Sequence, residues 1–255
     1  SFGAITVEET LDPGDFIRDY LRPGRPVLLK GALEGLPAAD WTPESLKERF
    51  PDKVLPIEDE EVRFGEFVDG VLESSPEKPA PYLRNINVAP QFPELVPDLQ
   101  PGLPHTRANW RFEKTLPSWW FESGCQFFLT GPGRGFPFMH VDYPPSHTFS
   151  ALTYGEKEWL VLAPDQTPHL YAGEGDTGWP MVSRVEDPFD PDLDRFPEYG
   201  RAEGVRVVQE AGDVIFVPSG WWHTARSLTP TISLAWDHVS ANCWKDVYRY
   251  MTSFP

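Results

Sequence analysis

The chain has 255 residues and a formal net charge of −17 at neutral pH, which excludes the basic surface that non-specific binding to nucleic acid or anionic lipid requires. Two cysteines give no disulfide framework, and no apolar run is long enough to span a membrane, so the expectation is a cytoplasmic protein in a reducing compartment, with no leader segment. The length can bury a core without staples, and 29 Pro, 20 Gly and 10 Trp suit a β-rich fold with many turns.

In chain order, Phe16, Ile17, Tyr20 and Leu21 share one helical face, and Pro23-Gly24 stops that helix. Pro26 to Gly31 reads as a short buried strand. Thr42 and Pro43 are an N-cap and first-turn residue, opening a helix through Leu46 to Phe50. Phe64 to Leu72 is a third amphipathic segment, and residues 74–81 are a proline-rich connector. Tyr82 to Val88 alternates as a strand that offers Arg84, with Asn85 or Asn87, to a cavity. Residues 89–118 are punctuated by proline and read as a surface wrap.

From Cys125 the texture changes to short strands separated by Gly, Pro and Asp turns. They are Cys125–Thr130, Thr148–Thr153, Glu158–Ala163, Val205–Gln209, Val214–Val217, Trp222–Ser227 and Thr231–Asp237. This is the pattern of an antiparallel sandwich or barrel. Residues 171–204 form an acidic insertion with little periodicity, which reads as a functional or mobile loop. Trp244, Val247, Tyr248 and Met251 lie on one helical stripe, available to the barrel or to a second subunit as a homodimer contact. Trp119-Trp120-Phe121 read as core in preference to a binding platform.

His140 and Asp142 are two residues apart, so on a strand both point to one side. Imidazole and carboxylate are ligands for first-row metals. His223 follows a turn, a buried strand and a second turn, over Gly212 to Trp222. Facing strands would bring it opposite the first pair. Alone, His223 beside two tryptophans reads as a core histidine; the three together read as two histidines and one carboxylate on one face of a metal, an arrangement suited to non-haem Fe(II) and O₂. Lys157 stands at the mouth of the apolar strand that follows. In a barrel interior it needs an anion, and a dicarboxylate cosubstrate would supply one, with Ser150 and Thr148 adding hydroxyl donors; at the surface it would be one lysine between Glu156 and Glu158. His105, His147, His169 and His238 read as structural, and Tyr143 as a residue beside the metal within reach of substrate.

Gly131-Pro132-Gly133-Arg134, His140-Val141-Asp142, Gly155-Glu156-Lys157-Glu158-Trp159 and Gly212 to His223 together resemble the jumonji-C (JmjC, cupin-like) Fe(II)/2-oxoglutarate oxygenases. The likeness covers most of the chain and is greatest to the lysyl-hydroxylase branch once called the phosphatidylserine receptor. The step of seventeen residues from His140 to Lys157 fits the family's step from first metal histidine to 2-oxoglutarate lysine. The resemblance implies a mainly β fold: a double-stranded β-helix (jelly-roll, cupin) core over 116–240, an N-terminal helical wrapper over 1–115 and a C-terminal helix over 241–255, all one domain. It implies Fe(II) on His140, Asp142 and His223, and 2-oxoglutarate chelating the iron with its distal carboxylate on Lys157. O₂ is the co-reactant, succinate and CO₂ the coproducts, and the outcome is hydroxylation of a C–H bond. Asp142 favours hydroxylation because related halogenases lack that carboxylate.

Departures from the family pattern fall around the cosubstrate. Pro137 stands where Thr is common, Ser150 replaces an Asn, and Ala235 and Asp237 replace polar residues; Ser150, Thr148 or Asn85 would compensate. The substrates to expect are a protein or peptide side chain, Lys- or Arg-containing, or a free amino acid or natural-product intermediate. An N-methyl demethylase of the same class and a metal-holding cupin-like scaffold without turnover are the alternatives.

Overall fold

The computed structural model describes residues 1–58, 60–107, 109–110, 124–173 and 181–252. The chain begins with β1 (Phe2–Gly3) and β2 (Thr6–Glu8). Asp12 then caps α1 (Pro13–Phe16) by accepting from the Gly14 amide at 2.7 Å. The helix continues as a wider π-type turn over Ile17–Leu21, and Phe16, Tyr20 and Leu21 are the residues it buries. β3 (Val27–Leu29) is buried throughout. α2 (Pro43–Arg49) opens on a reciprocal cap, the Thr42 hydroxyl accepting from the Ser45 amide and the Ser45 hydroxyl from the Thr42 amide. The hairpin β4 (Val54–Ile57) and β5 (Glu60–Arg63) leads into α3 (Phe64–Leu72), and β6 (Leu83–Asn87) into α4 (Val88–Gln91).

Then come β7 (Gln126–Thr130), β8 (His147–Tyr154), β9 (Glu156–Leu162), β10 (Ala172–Gly173), β11 (Val182–Ser183), β12 (Gly204–Glu210), β13 (Val214–Val217), β14 (Trp222–Ser227) and β15 (Thr231–His238). α5 (Trp244–Thr252) follows. The fold is a mainly β jelly roll. One sheet runs β2-β3-β13-β8-β15-β7-β6 and the other β1-β12-β9-β14. Strand pairing is antiparallel except where β1 joins β12 and β2 joins β3. The N-terminal segment therefore supplies four strands to the two sheets as well as helices against them.

Period-two alternation sorts the large sheet's side chains to two faces. Phe127, Leu129, Phe149, Ala151, Val214, Phe216, Ile232 and Leu234 face the N-terminal helices in the largest apolar cluster. From β13, Ile215 and Val217 point the other way and pack with Trp159 and Val161 of the small sheet. A polar tie reinforces that contact: Trp159 donates to Gln209, whose amide donates to the Ser150 and Asp213 carbonyls, all near 2.9 Å.

Four expectations change. Residues 89–107 do not only wrap the surface, because short 3₁₀ turns between prolines drop Phe92, Leu95 and Leu103 into the core. Alternation along β6 fails, because its pairing with β7 shifts between Leu83 and Ile86 and leaves Arg84 and Asn85 both exposed. The described part of the acidic insertion over 181–204 packs: Val185, Phe196, Tyr199 and Ala202 are buried with Met139 and Trp222. On α5, Val247 is buried against Val239 and Cys243, whereas Trp244 and Tyr248 are exposed, so the stripe is divided between barrel and solvent. Trp119, Trp120 and Phe121 lie outside the described residues.

Candidate metal centre and its cavity

A backbone ladder brings the first two ligands together. His140 and His223 form an antiparallel bridge, with N–H···O separations of 3.0 and 2.8 Å between them. Met139 and Val141 turn outward into a buried apolar cluster, and the alternation turns His140 and Asp142 into the cavity. Asp142 Oδ1 lies 3.4 Å from His140 Nε2 and 3.5 Å from His223 Nε2. Neighbouring ligands around an ion with bonds of about 2.0–2.2 Å stand roughly 3 Å apart, so the set needs only a small contraction. The Nδ1 atoms face the Phe138 and Trp221 carbonyls at 3.2 and 3.1 Å. Donation there fixes the tautomer that leaves each Nε2 lone pair free for a metal. Thr148 donates to the other carboxylate oxygen, and Phe136 stacks on the His140 ring at 4.3 Å.

The electrostatics suit ligands. Burial opposes the Asp142 charge, but His223 and His140 outweigh it and hold the carboxyl well below its ordinary range. Burial, helped by the His223 charge, lowers the His140 imidazole and keeps it neutral. His223 is raised because Asp142 overcomes its burial. Asp142 and His140 are thus held as the carboxylate and neutral imidazole in which metals bind, whereas Asp142 favours a proton on His223 that a metal ion would have to displace.

The cavity has a volume of about 360 Å³. Lys157 reaches into it from β9, 5 % exposed, with Nζ 2.7 Å from Ser233 Oγ. No carboxylate pairs with this ammonium among the described residues, and burial lowers it to about 8. Ser150 of β8, opposite Ala235 of β15, also lines the space. Asn85 does so through the β6 irregularity, at a φ of 56°. All seven residues expected at the site thus share one cavity, though the Thr148 hydroxyl is committed to Asp142.

Ser233, Phe136, Gln126 and Tyr82 were not anticipated here. The alternation of Ser233, Ala235 and Asp237 with apolar Ile232 and Leu234 carries the signal for Ser233. Phe136 lies outside the named strands, just after the isolated Gly135–Arg226 bridge, and has none. His147 is structural, receiving the Ser219 amide on Nδ1 and meeting Ser240 Oγ through Nε2, both at 2.9 Å. Tyr143 lines the cavity, 38 % exposed, with its ring edge-on to Tyr250.

A jelly roll whose cavity is lined by two histidines and a carboxylate close enough to share an ion defines a cupin-type metal site. The chain belongs to the cupin-like domain family, whose model matches residues 13–246. It is 26 % identical to an "Arginine-specific demethylase JMJ22" of Arabidopsis thaliana, over 97 % of this chain and 48 % of the relative. A "Lysine-specific demethylase 8" of Danio rerio is 28 % identical, over 86 % and 54 %. A "2-oxoglutarate and iron-dependent oxygenase JMJD4" of Gallus gallus is 25 % identical, over 89 % and 57 %. The chain spans about half the length of these curated relatives. No helix among the described residues is long and apolar enough to cross a membrane.

Proposed function

We propose that the whole chain is one JmjC-like domain acting as an Fe(II)- and 2-oxoglutarate-dependent dioxygenase. It would hydroxylate a C–H bond of a protein or peptide side chain, or of an amino-acid-like molecule, with succinate and CO₂ as coproducts. The observation that carries the reading is the sharing of one cavity by the metal triad and a buried lysine that has no carboxylate partner among the described residues. His140, Asp142 and His223 would hold Fe(II), which with 2-oxoglutarate and O₂ supplies the oxidising power for C–H cleavage.

Asp142 contributes a full negative charge and keeps its orientation through Thr148. Lys157 offers its ammonium to the distal carboxylate of 2-oxoglutarate, and Ser233 orients that ammonium. Ser150 and Asn85 are the polar groups placed to complete the cosubstrate's hydrogen bonds. Trp159 and Phe136 exclude water around the ligands. The names of two relatives favour a second outcome in the same class, removal of an N-methyl group, since hydroxylation there collapses to formaldehyde. The test is succinate formation from 2-oxoglutarate by Fe(II)-loaded protein in air. Production should fall by more than about 100-fold in His140→Ala, beyond the loss typical of groups that only support a ligand. Equal succinate from the variant would remove the metal assignment, and formaldehyde release would select the demethylase.

A further inference from the structure

Arg84 is a cation out of character with the chain around it. The protein carries a net charge of −17. Most arginines whose contacts are known here lean on carboxylates: Arg18 on Asp15 and Asp19, Arg49 on Asp98, Arg134 on Glu58, and Arg206 and Arg226 on Glu158. Arg84 has no carboxylate partner among the described residues. Its guanidinium lies over the Phe136 ring instead, 5.6 Å from the centroid. Phe136 stacks in turn on the metal ligand His140 at 4.3 Å. The cation is therefore two ring contacts from the reaction centre, and Phe136 and Asn85 beside it both line the cavity.

Local backbone geometry creates this presentation. Leu83 pairs with Leu129 and Ile86 with Phe127, so Arg84 and Asn85 together stand opposite Phe128. An extra residue in an edge strand re-aims side chains, and such irregularities gather beside active sites. Asn85 absorbs the distortion in the left-handed region, which asparagine tolerates better than most residues. Without that irregularity, alternation would send Arg84 and Asn85 to opposite faces. Tyr82, on the same stretch, also lines the cavity, and its ring is 6.3 Å from that of Phe128. Stacking on an aromatic face leaves the edge of a guanidinium free, and that edge matches a carboxylate with two parallel N–H donors.

We propose that Arg84, presented by the irregularity in β6 and braced on Phe136, binds a carboxylate of the primary substrate. This deepens the oxygenase reading and rests on it. The carboxylate is the α-carboxylate of a free amino acid, the C-terminus of a peptide or an acidic side chain. The overall negative charge governs encounter with the protein as a whole. Arg84 governs which molecules stay. Lys157 does not compete for this carboxylate, because the cosubstrate occupies it.

The experiment is ligand-observed saturation-transfer NMR on metal-loaded full chain saturated with 2-oxoglutarate under anaerobic conditions. The probes are the free L-amino acids, short peptides with free or amidated C-termini, and peptides with or without an acidic side chain. Carboxylates from one of these sources should bind, with affinity falling on the order of 10- to 100-fold in the matched amide and by a similar factor in Arg84→Gln. Arg84→Lys keeps the charge without the planar fork and should fall between. Equal binding of acids and amides, or no binding by any carboxylate in the panel, overturns the proposal. A rise in the 2-oxoglutarate requirement of Arg84→Gln comparable to that of Lys157→Ala also overturns it, by assigning the guanidinium to the cosubstrate. Failure of the oxygenase reading itself would appear separately, as absent 2-oxoglutarate binding to the metal-loaded wild type.

Discussion

The two faces of the seven-stranded sheet are made by the same strands and obey opposite rules. Toward the N-terminal helices, β8, β13 and β15 present Phe149, Ala151, Val214, Phe216, Ile232 and Leu234, all at most 1 % exposed. Toward the cavity, β8 and β15 present Thr148, Ser150, Ser233 and Asp237. The first face gains from removing apolar area from water. The second buries polar groups that need partners, so each one found there calls for a reason. Thr148 has Asp142 and Ser233 has Lys157, but Lys157 has no counter-charge in the described protein. One face is organised for stability and the other for ligands.

Truncation on the helix side should act on stability alone. Phe216 has ring contacts to Phe16 and Phe149, both at 5.0 Å, and Phe216→Ala should destabilise the fold by about 3–5 kcal/mol in urea unfolding. Fe(II) affinity of the folded fraction should stay unchanged; a parallel loss would show that the two faces are coupled.

Lys157→Met should act with opposite signs on function and stability. Losing the ammonium should weaken 2-oxoglutarate binding by about 2–5 kcal/mol, read as a raised apparent requirement. Losing a buried cation should stabilise the protein near neutral pH. Burial lowers the folded-state ammonium to about 8, below its unfolded value. The destabilising contribution is therefore full below about pH 8 and fades as pH rises to the ordinary lysine range. Wild-type stability should climb through that window relative to Lys157→Met, and kcat/KM for 2-oxoglutarate should fall above about pH 8 as the ammonium deprotonates. Parallel stability curves would place the titration elsewhere.

Thr148→Val keeps the shape and removes the hydrogen bond to Asp142. Groups that orient a ligand typically contribute 10- to 100-fold in metal affinity, so a loss of about that size is expected, with little change in unfolding. An unchanged Fe(II) affinity would mean that Asp142 keeps its orientation without help.

Much of this division was legible in the sequence. The strand segments of the barrel followed from turn residues and alternation, and the His-x-Asp spacing with the distant His223 located the metal centre. The capped start of α2 was equally plain in Thr42-Pro43. What escaped depended on register or on turns. Alternation assumes unbroken pairing, and the shift between Leu83 and Ile86 breaks it, so Arg84 and Asn85 could not be assigned faces from the sequence. Phe136 reaches His140 from a segment without period, and the described part of the insertion over 181–204 packs through scattered apolar residues that no single period describes. Strand position alone makes the Thr148 hydroxyl a cosubstrate donor; its acceptor in the fold, Asp142, lies across the Pro144-Pro145 segment, a separation that spacing rules do not bridge.

The central claim is that His140, Asp142 and His223 hold an iron on which 2-oxoglutarate binds with Lys157 at its far end. The most direct test is an anaerobic titration of Fe(II)-loaded protein with 2-oxoglutarate, followed through the visible absorption of the iron. A saturable change in the wild type, absent in His140→Ala and shifted to higher 2-oxoglutarate in Lys157→Met, is the expected result. An iron spectrum indifferent to 2-oxoglutarate would contradict the account and leave a metal-holding scaffold in its place.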